Sequence, residues 1–152
     1  MKKILLISLA AVAYCSAKGQ FVAKMEIKDN DTITGLCNRK EVYSLFPMFK
    51  GQQEAVCSVL KDDIEEQLNN EVPFLKNNPK HSDKGMISII INCKGEVIRC
   101  ETDNKTKSEE LDKQILTIFL TLKNWKPGKL DGKEVDSVSL WSFEIKKGKL
   151  IL

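Results

Sequence analysis

The feature that most constrains this chain is an isoleucine-rich run. Gly85-Met86-Ile87-Ser88-Ile89-Ile90-Ile91-Asn92 carries four isoleucines in the five positions from 87 to 91. β-Branched side chains are stiff at χ1 and pack well on a pleated surface, so the run predicts a strand over Met86 to Asn92. Cys93-Lys94-Gly95-Glu96 follows as a hairpin turn, with Gly95 supplying the positive φ that such turns need. Val97 to Thr102 is then a second strand. A strand that is apolar almost throughout belongs in the middle of a sheet.

The other elements are placed around this hairpin. Val56, Val59, Leu60, Ile64 and Leu68 recur at three- and four-residue steps, which predicts a helix from Gln52 to Leu68. Asp62, Asp63, Glu65 and Glu66 tile its wet face. Residues 69–85 read as loop, broken by Pro73, Asn77-Asn78-Pro79 and Gly85. A second helix is predicted from Ser108 to Lys123, burying Leu111, Ile115, Ile118, Phe119 and Leu122. Thr106 or Ser108 caps it, and Glu109 and Glu110 lie at the positive end of its dipole. Trp125-Lys126-Pro127-Gly128 ends it. After the Asp131-Gly132 turn, Val135 to Ile145 is a third strand. A hairpin, a helix and a returning strand give an antiparallel three-stranded sheet in the order two-one-three. The fold class is therefore α+β, with both helices on one face and strand three an exposed edge.

Met1-Lys2-Lys3, the apolar run Ile4 to Tyr14 and the small residues to Ala17 have the layout of a secretory signal peptide. The apolar run is shorter than the roughly 20 residues a membrane-spanning helix needs. Residues 1–20 are therefore read as a signal peptide removed on export, after Ala17 or Gln20; an uncleaved inner-membrane anchor is the alternative. Residues 21–50 read as an extended lead-in arm: Phe21 to Ile27 as a short strand, a turn at Asp29-Asn30-Asp31, and Val42 to Phe49 lying on the core. Residues 51–152 form the domain. Without Lys2, Lys3 and Lys18 the 24 basic residues fall to 21, equal to the 21 acidic ones. A neutral domain lacks the attraction to phosphate on which nucleic-acid binding depends. Asn30-Asp31-Thr32 and Asn104-Lys105-Thr106 have the form of glycosylation sequons, a triplet frequent by chance.

With Cys15 in the signal, Cys37, Cys57, Cys93 and Cys100 remain, and four cysteines allow three pairings. If residues 92 and 97 face each other, Cys100 faces Ile89. That leaves Cys93 and Cys100 roughly 13 Å apart along the strand, too far for a bond that needs Cα atoms within about 7 Å. Cys37–Cys57, joining the arm to the first helix, is the candidate disulfide; the other reading is buried thiols. The spacings match no zinc pattern. His81, the one histidine, sits among turn residues and reads as solvated and inert. No nucleophile motif accompanies it. The chain is thus expected to be no enzyme, with no catalytic residues, cofactor, metal or small-molecule substrate. Trp125 reads as core. Trp141 shares a strand face with Phe143 and Ile145 and also reads as core, with a ligand platform as the rival.

Several motifs together resemble the TonB C-terminal domain family. Gly85 to Asn92 with Gly95-Glu96-Val97-Ile98 is similar to that family's first hairpin. Leu111-Asp112-Lys113, Trp125-Lys126-Pro127-Gly128-Lys129, Gly132-Lys133-Glu134-Val135 and Phe143 resemble its helix, tryptophan–proline turn and last strand. Val42-Tyr43 and Phe46-Pro47-Met48-Phe49-Lys50-Gly51 resemble the segment that precedes the domain in Bacteroidetes members. The resemblance covers about residues 41–145. It implies a periplasmic module that takes up a short peptide of an outer-membrane transporter as an added strand, in TonB-dependent transmembrane transport. The peptide-binding edge expected on strand three is Val138, Ser139, Leu140, Ser142 and Glu144. The expected partner is a TonB-dependent transporter or its peptide. The alternative is a structural or self-assembling exported protein, a homodimer formed through that edge.

Overall fold

The computed structural model describes residues 21–27 and 33–152. The signal peptide, Cys15, the Asp29-Asn30-Asp31 turn and the first sequon lie outside the described residues. The chain is α+β. Its elements in order are β1 (Ala23–Glu26), β2 (Glu41–Ser44), β3 (Gln52–Gln53), β4 (Val56–Cys57), α1 (Lys61–Glu71), α2 (Pro73–Asn77), β5 (Asp83–Ile91), β6 (Val97–Asn104), α3 (Glu109–Thr121), β7 (Trp125–Lys126), β8 (Gly128–Leu130), β9 (Lys133–Val135), β10 (Ser137–Lys146) and β11 (Lys149–Ile151).

The isoleucine run is an interior strand, as its composition requires. β5 pairs antiparallel with β6 on one side and β10 on the other. Ile89 lies opposite Cys100, so Cys93 and Cys100 stay apart. Ile87, Ile89 and Ile91 are fully buried on the face covered by the helices. They meet Ile64 and Leu68 of α1, Leu75 of α2, and Leu111, Ile115 and Phe119 of α3. Ser108 caps α3, its Oγ accepting the Leu111 N–H at 3.3 Å. At the β5–β6 turn Gly95 has φ +80°, and a Cβ there would run into the Trp125 carbonyl. Glycine is needed at this position both for its backbone and for its size.

The sheet is larger than the expected three strands. It has six, in the order β1-β2-β10-β5-β6, with β11 also on β10. The arm supplies β1 and β2, and β2 lies parallel to the start of β10. β11 folds back on the end of β10 through Lys147-Gly148, both at positive φ as a two-residue hairpin turn demands. Its Leu150 is fully buried. Strand three is therefore not an open edge along its length, which corrects the sequence expectation.

Two local readings are also corrected. The helix expected from Gln52 begins only at Lys61. Gln52–Gln53 and Val56–Cys57 are instead short strands paired with β8 and β7. Val56 and Leu60, two of the supposed stripe, are 54% and 70% exposed, so that of this part of the period Val59 alone packs against the core. The loop expected over 69–85 contains α2, which starts at Pro73, where proline's missing N–H costs nothing.

Trp125 is 5% exposed and stacks edge-on with Trp141, which in turn meets Phe119. Trp125 therefore belongs to the core, and Trp141 packs half-buried against it. Trp125→Ala is expected to cost roughly 3–5 kcal/mol, measured by urea unfolding. A loss under about 0.5 kcal/mol would show that the core closes without this ring.

Candidate functional site

The expected edge residues divide into three groups. Val138 is occupied: it pairs with Ser44 of β2 on one side and Ile90 of β5 on the other. Glu144 is also occupied, opposite Ile151 of β11. These two corrections follow from the extra strands. Between them, Ser139 to Phe143 pairs with β5 and with no strand on its other side among the described residues. This window is roughly 17 Å long at about 3.3 Å per residue.

The direction of each backbone group in the window follows from its flank. In an antiparallel ladder a residue turns its N–H and C=O to the same side, and its neighbour turns them to the other. The Tyr43 N–H donates to the Asp136 carbonyl at 2.9 Å, so Asp136 faces β2. Even-numbered residues of β10 therefore face outward, and odd-numbered ones face β5. Leu140 and Ser142 present their N–H and C=O to the open side, while Ser139, Trp141 and Phe143 are engaged with β5.

The side chains follow the same alternation across the two faces. Trp141, Phe143 and Ile145 lie on the helix face, and the Trp141 Nε1–H donates to Ser139 Oγ at 3.0 Å. Leu140 and Ser142 lie on the other face, with Leu140 53% exposed. The window thus offers an apolar side chain next to unpaired backbone.

What holds its N-terminal border is a buried clamp. Asp136 is 1% exposed, and its carboxylate accepts the Asn38 N–H at 2.6 Å and the Cys93 N–H at 2.9 Å. Beside it, Cys37 and Cys93 form a disulfide. The expected Cys37–Cys57 pairing is thus replaced: the arm is bonded to the hairpin turn, and Cys57 is free and half-buried. The Asn92 side chain adds a bond from Nδ2 to the Gly35 carbonyl at 2.9 Å. Between β1 and β2, Lys24 and the Tyr43 hydroxyl both donate to Glu41. The bond from Lys24, reinforced by that from Tyr43, holds the Glu41 carboxyl below its ordinary range. The arm thus covers Asp136.

Cys37, Cys93 and Asp136 are the group of possible metal ligands among the described residues. The disulfide takes both sulfurs and the backbone N–H groups take the carboxylate, so the set is spent on structure. Cys100 is free, and burial, helped by the nearby Glu101 charge, pushes its thiol up to about 11. It stays protonated at neutral pH and is a poor nucleophile. His81 is not solvated as expected. Its ring stands edge-on to Phe74, and Nε2 lies 3.5 Å from Asp83 Oδ2. Burial opposes the Asp83 charge, but the Lys107 and Lys84 N–H groups outweigh it and lower its pKa. These contacts tie the start of β5 to the α3 approach. Asp62, Asp63 and Glu66 are exposed, and Glu65 accepts the Leu152 N–H at 3.0 Å. No helix of the described residues is long and apolar enough to cross a membrane.

Asp136→Ala leaves two backbone N–H groups without their acceptor. It is expected to cost about 2–4 kcal/mol. Cys37→Ser with Cys93→Ser opens a loop spanning 56 residues of sequence separation, with an expected loss of about 2–4 kcal/mol. Thermal melts under non-reducing conditions measure both. An unchanged Tm for either would show that the arm is held by other contacts.

Comparison with protein families, with curated proteins and with solved structures finds no match for this chain.

Proposed function

We propose that this chain is an exported binding module that takes up an extended peptide as an added strand in the β10 window. The observation that carries this reading is the outward N–H and C=O of Leu140 and Ser142, left open between β2 and β11. A peptide strand satisfies such groups with little rearrangement of its host. The exposed Leu140 beside them gives the peptide's alternate side chains an apolar contact. The resemblance to TonB C-terminal domains supports the same reading and names the partner class: a short periplasmic segment of an outer-membrane transporter. The adjacency of β6, β5 and β10, with the helices on one face, is compatible with that family's sheet order. The signal-like start of the sequence supports a periplasmic location.

Proline separates the two sides of β10, because it removes one backbone donor. Ser139→Pro removes an N–H that faces β5 and is expected to unfold the domain. Leu140→Pro removes an N–H that faces the window. It is expected to keep the fold, read as an unchanged far-ultraviolet spectrum, and to weaken binding of a transporter-derived peptide at least tenfold by titration calorimetry. A folded Leu140→Pro protein that binds as tightly as the parent would place recognition elsewhere.

A further inference from the structure

We propose that β6 is a self-association edge, pairing antiparallel with β6 of a second copy of this chain about a two-fold axis at Cys100. β6 ends the sheet on the side away from β10, and no described strand lies beyond it. Its backbone directions follow from β5. Odd-numbered residues of β5 face β10, so the even-numbered ones face β6. The Asn92 N–H to the Glu96 carbonyl, at 2.9 Å, agrees with this. Ile90 and Ser88 therefore engage Arg99 and Glu101. Cys100 and Thr102 turn their N–H and C=O outward.

The register is selected by charge. Arg99 and Glu101 both lie on the face away from the helices, and within one chain they pair at 2.9 Å. Centring the two-fold on Cys100 sets Arg99 opposite Glu101 of the partner subunit, and Glu101 opposite Arg99 of the partner subunit. Both cross-strand pairs are then of opposite sign, which is favourable. Centring on Arg99 or on Glu101 sets like charges together. Centring on Thr102 puts Glu101 against Asp103 of the partner subunit. Only the Cys100 register turns the charged edge from a barrier into a match.

A second observation lies on the adjoining helix. Glu109, Lys113, Leu116 and Leu120 form one stripe of α3 at helical spacing, and Glu109, Lys113 and Leu116 line a cavity of about 370 Å³ with Thr102 of β6. Leu116 is half-buried and Leu120 is 57% exposed. The stripe therefore borders the open edge, and a paired second sheet brings the partner's α3 alongside it to cover both leucines. The regular part of the edge is short, because the ladder slips at Ile98 and at Asp103. The association is accordingly reversible and concentration-dependent.

Sedimentation equilibrium of the purified protein from about 1 µM to about 500 µM tests this. A monomer–dimer equilibrium is expected within that range. Arg99→Glu and Glu101→Arg each create two like-charge contacts across the axis, and each should weaken the dimer by about tenfold or more. The double swap restores both pairs and should return the dissociation constant to within about threefold of the parent. Leu120→Glu, at an exposed site, should weaken it without touching the fold, which circular dichroism verifies for every variant. The proposal is overturned if the parent stays monomeric throughout. It is equally overturned if either single swap or Leu120→Glu leaves the dimer unchanged, or if the double swap fails to restore it. Peptide binding in the β10 window is on the opposite side of the sheet and is read separately.

Discussion

The structure depends on the register of one strand. β5 is paired on both sides, and Ile87, Ile89 and Ile91 are fully buried on one of its faces. A slip of one residue would turn all three to the other face, so the register is strongly specified. Once it is fixed, so are the partners of Ser137 to Ile145 and the parity of β10. The outward direction of Leu140 and Ser142 is a consequence of where isoleucines fall in β5.

That much was legible in the sequence. Ile87 to Ile91, the Gly95 turn and the stripe Leu111–Ile115–Ile118–Phe119–Leu122 all have strong local signals, and each carries its own periodicity. The arm, the clamp and the small strands are set by long-range contacts and have no comparable signal. Asp136 reads as an exposed acid at the start of a strand, and only the arrival of Asn38 and Cys93 makes it a buried acceptor. The Cys37–Cys93 bond depends on the arm crossing to the hairpin turn, which spacing alone does not specify. Some signals were present and unread. Lys147-Gly148 between Ile145 and Leu150 is a two-residue turn flanked by apolar residues, and Pro73 is a helix start. Val56, Val59 and Leu60 misled because a helical spacing over so few residues also arises by chance in short strands.

A sheet of this kind has edges to protect, and the chain treats each differently. β1 is short and carries the Lys24–Glu41 contact to β2. β10 is covered at both ends by its own chain. β6 is interrupted by two register slips and carries Arg99, Glu101 and Asp103. Charges and bulges are the usual means of discouraging edge pairing. The opposite charges of Arg99 and Glu101 act selectively, repelling in registers that set like charges together and matching in the one centred on Cys100. The same residues can thus keep unrelated strands away and admit a second copy of the chain.

The β10 window imposes a limit that magnitudes make clear. Leu140 and Ser142 offer about four backbone hydrogen bonds, each worth about 1 kcal/mol net. Association costs an estimated 4–15 kcal/mol in lost translational and rotational freedom. Backbone pairing alone therefore does not hold a peptide. The remainder has to come from side chains, and strand geometry says where. Alternate residues of an added strand fall on the two faces of the sheet. On one face they reach Leu140, the exposed apolar residue of the window. On the other they approach Trp141, which is only half-buried against Phe119 and Trp125. A ligand of about five residues with apolar side chains of both parities would fit these constraints. A purely polar one would not recover the cost of binding. The clamp enters at this point, because β2 ends where the window begins. Asp136 and the Cys37–Cys93 bond hold β2 in place and so keep the window short, which makes side-chain chemistry, and not backbone length, the basis of selection.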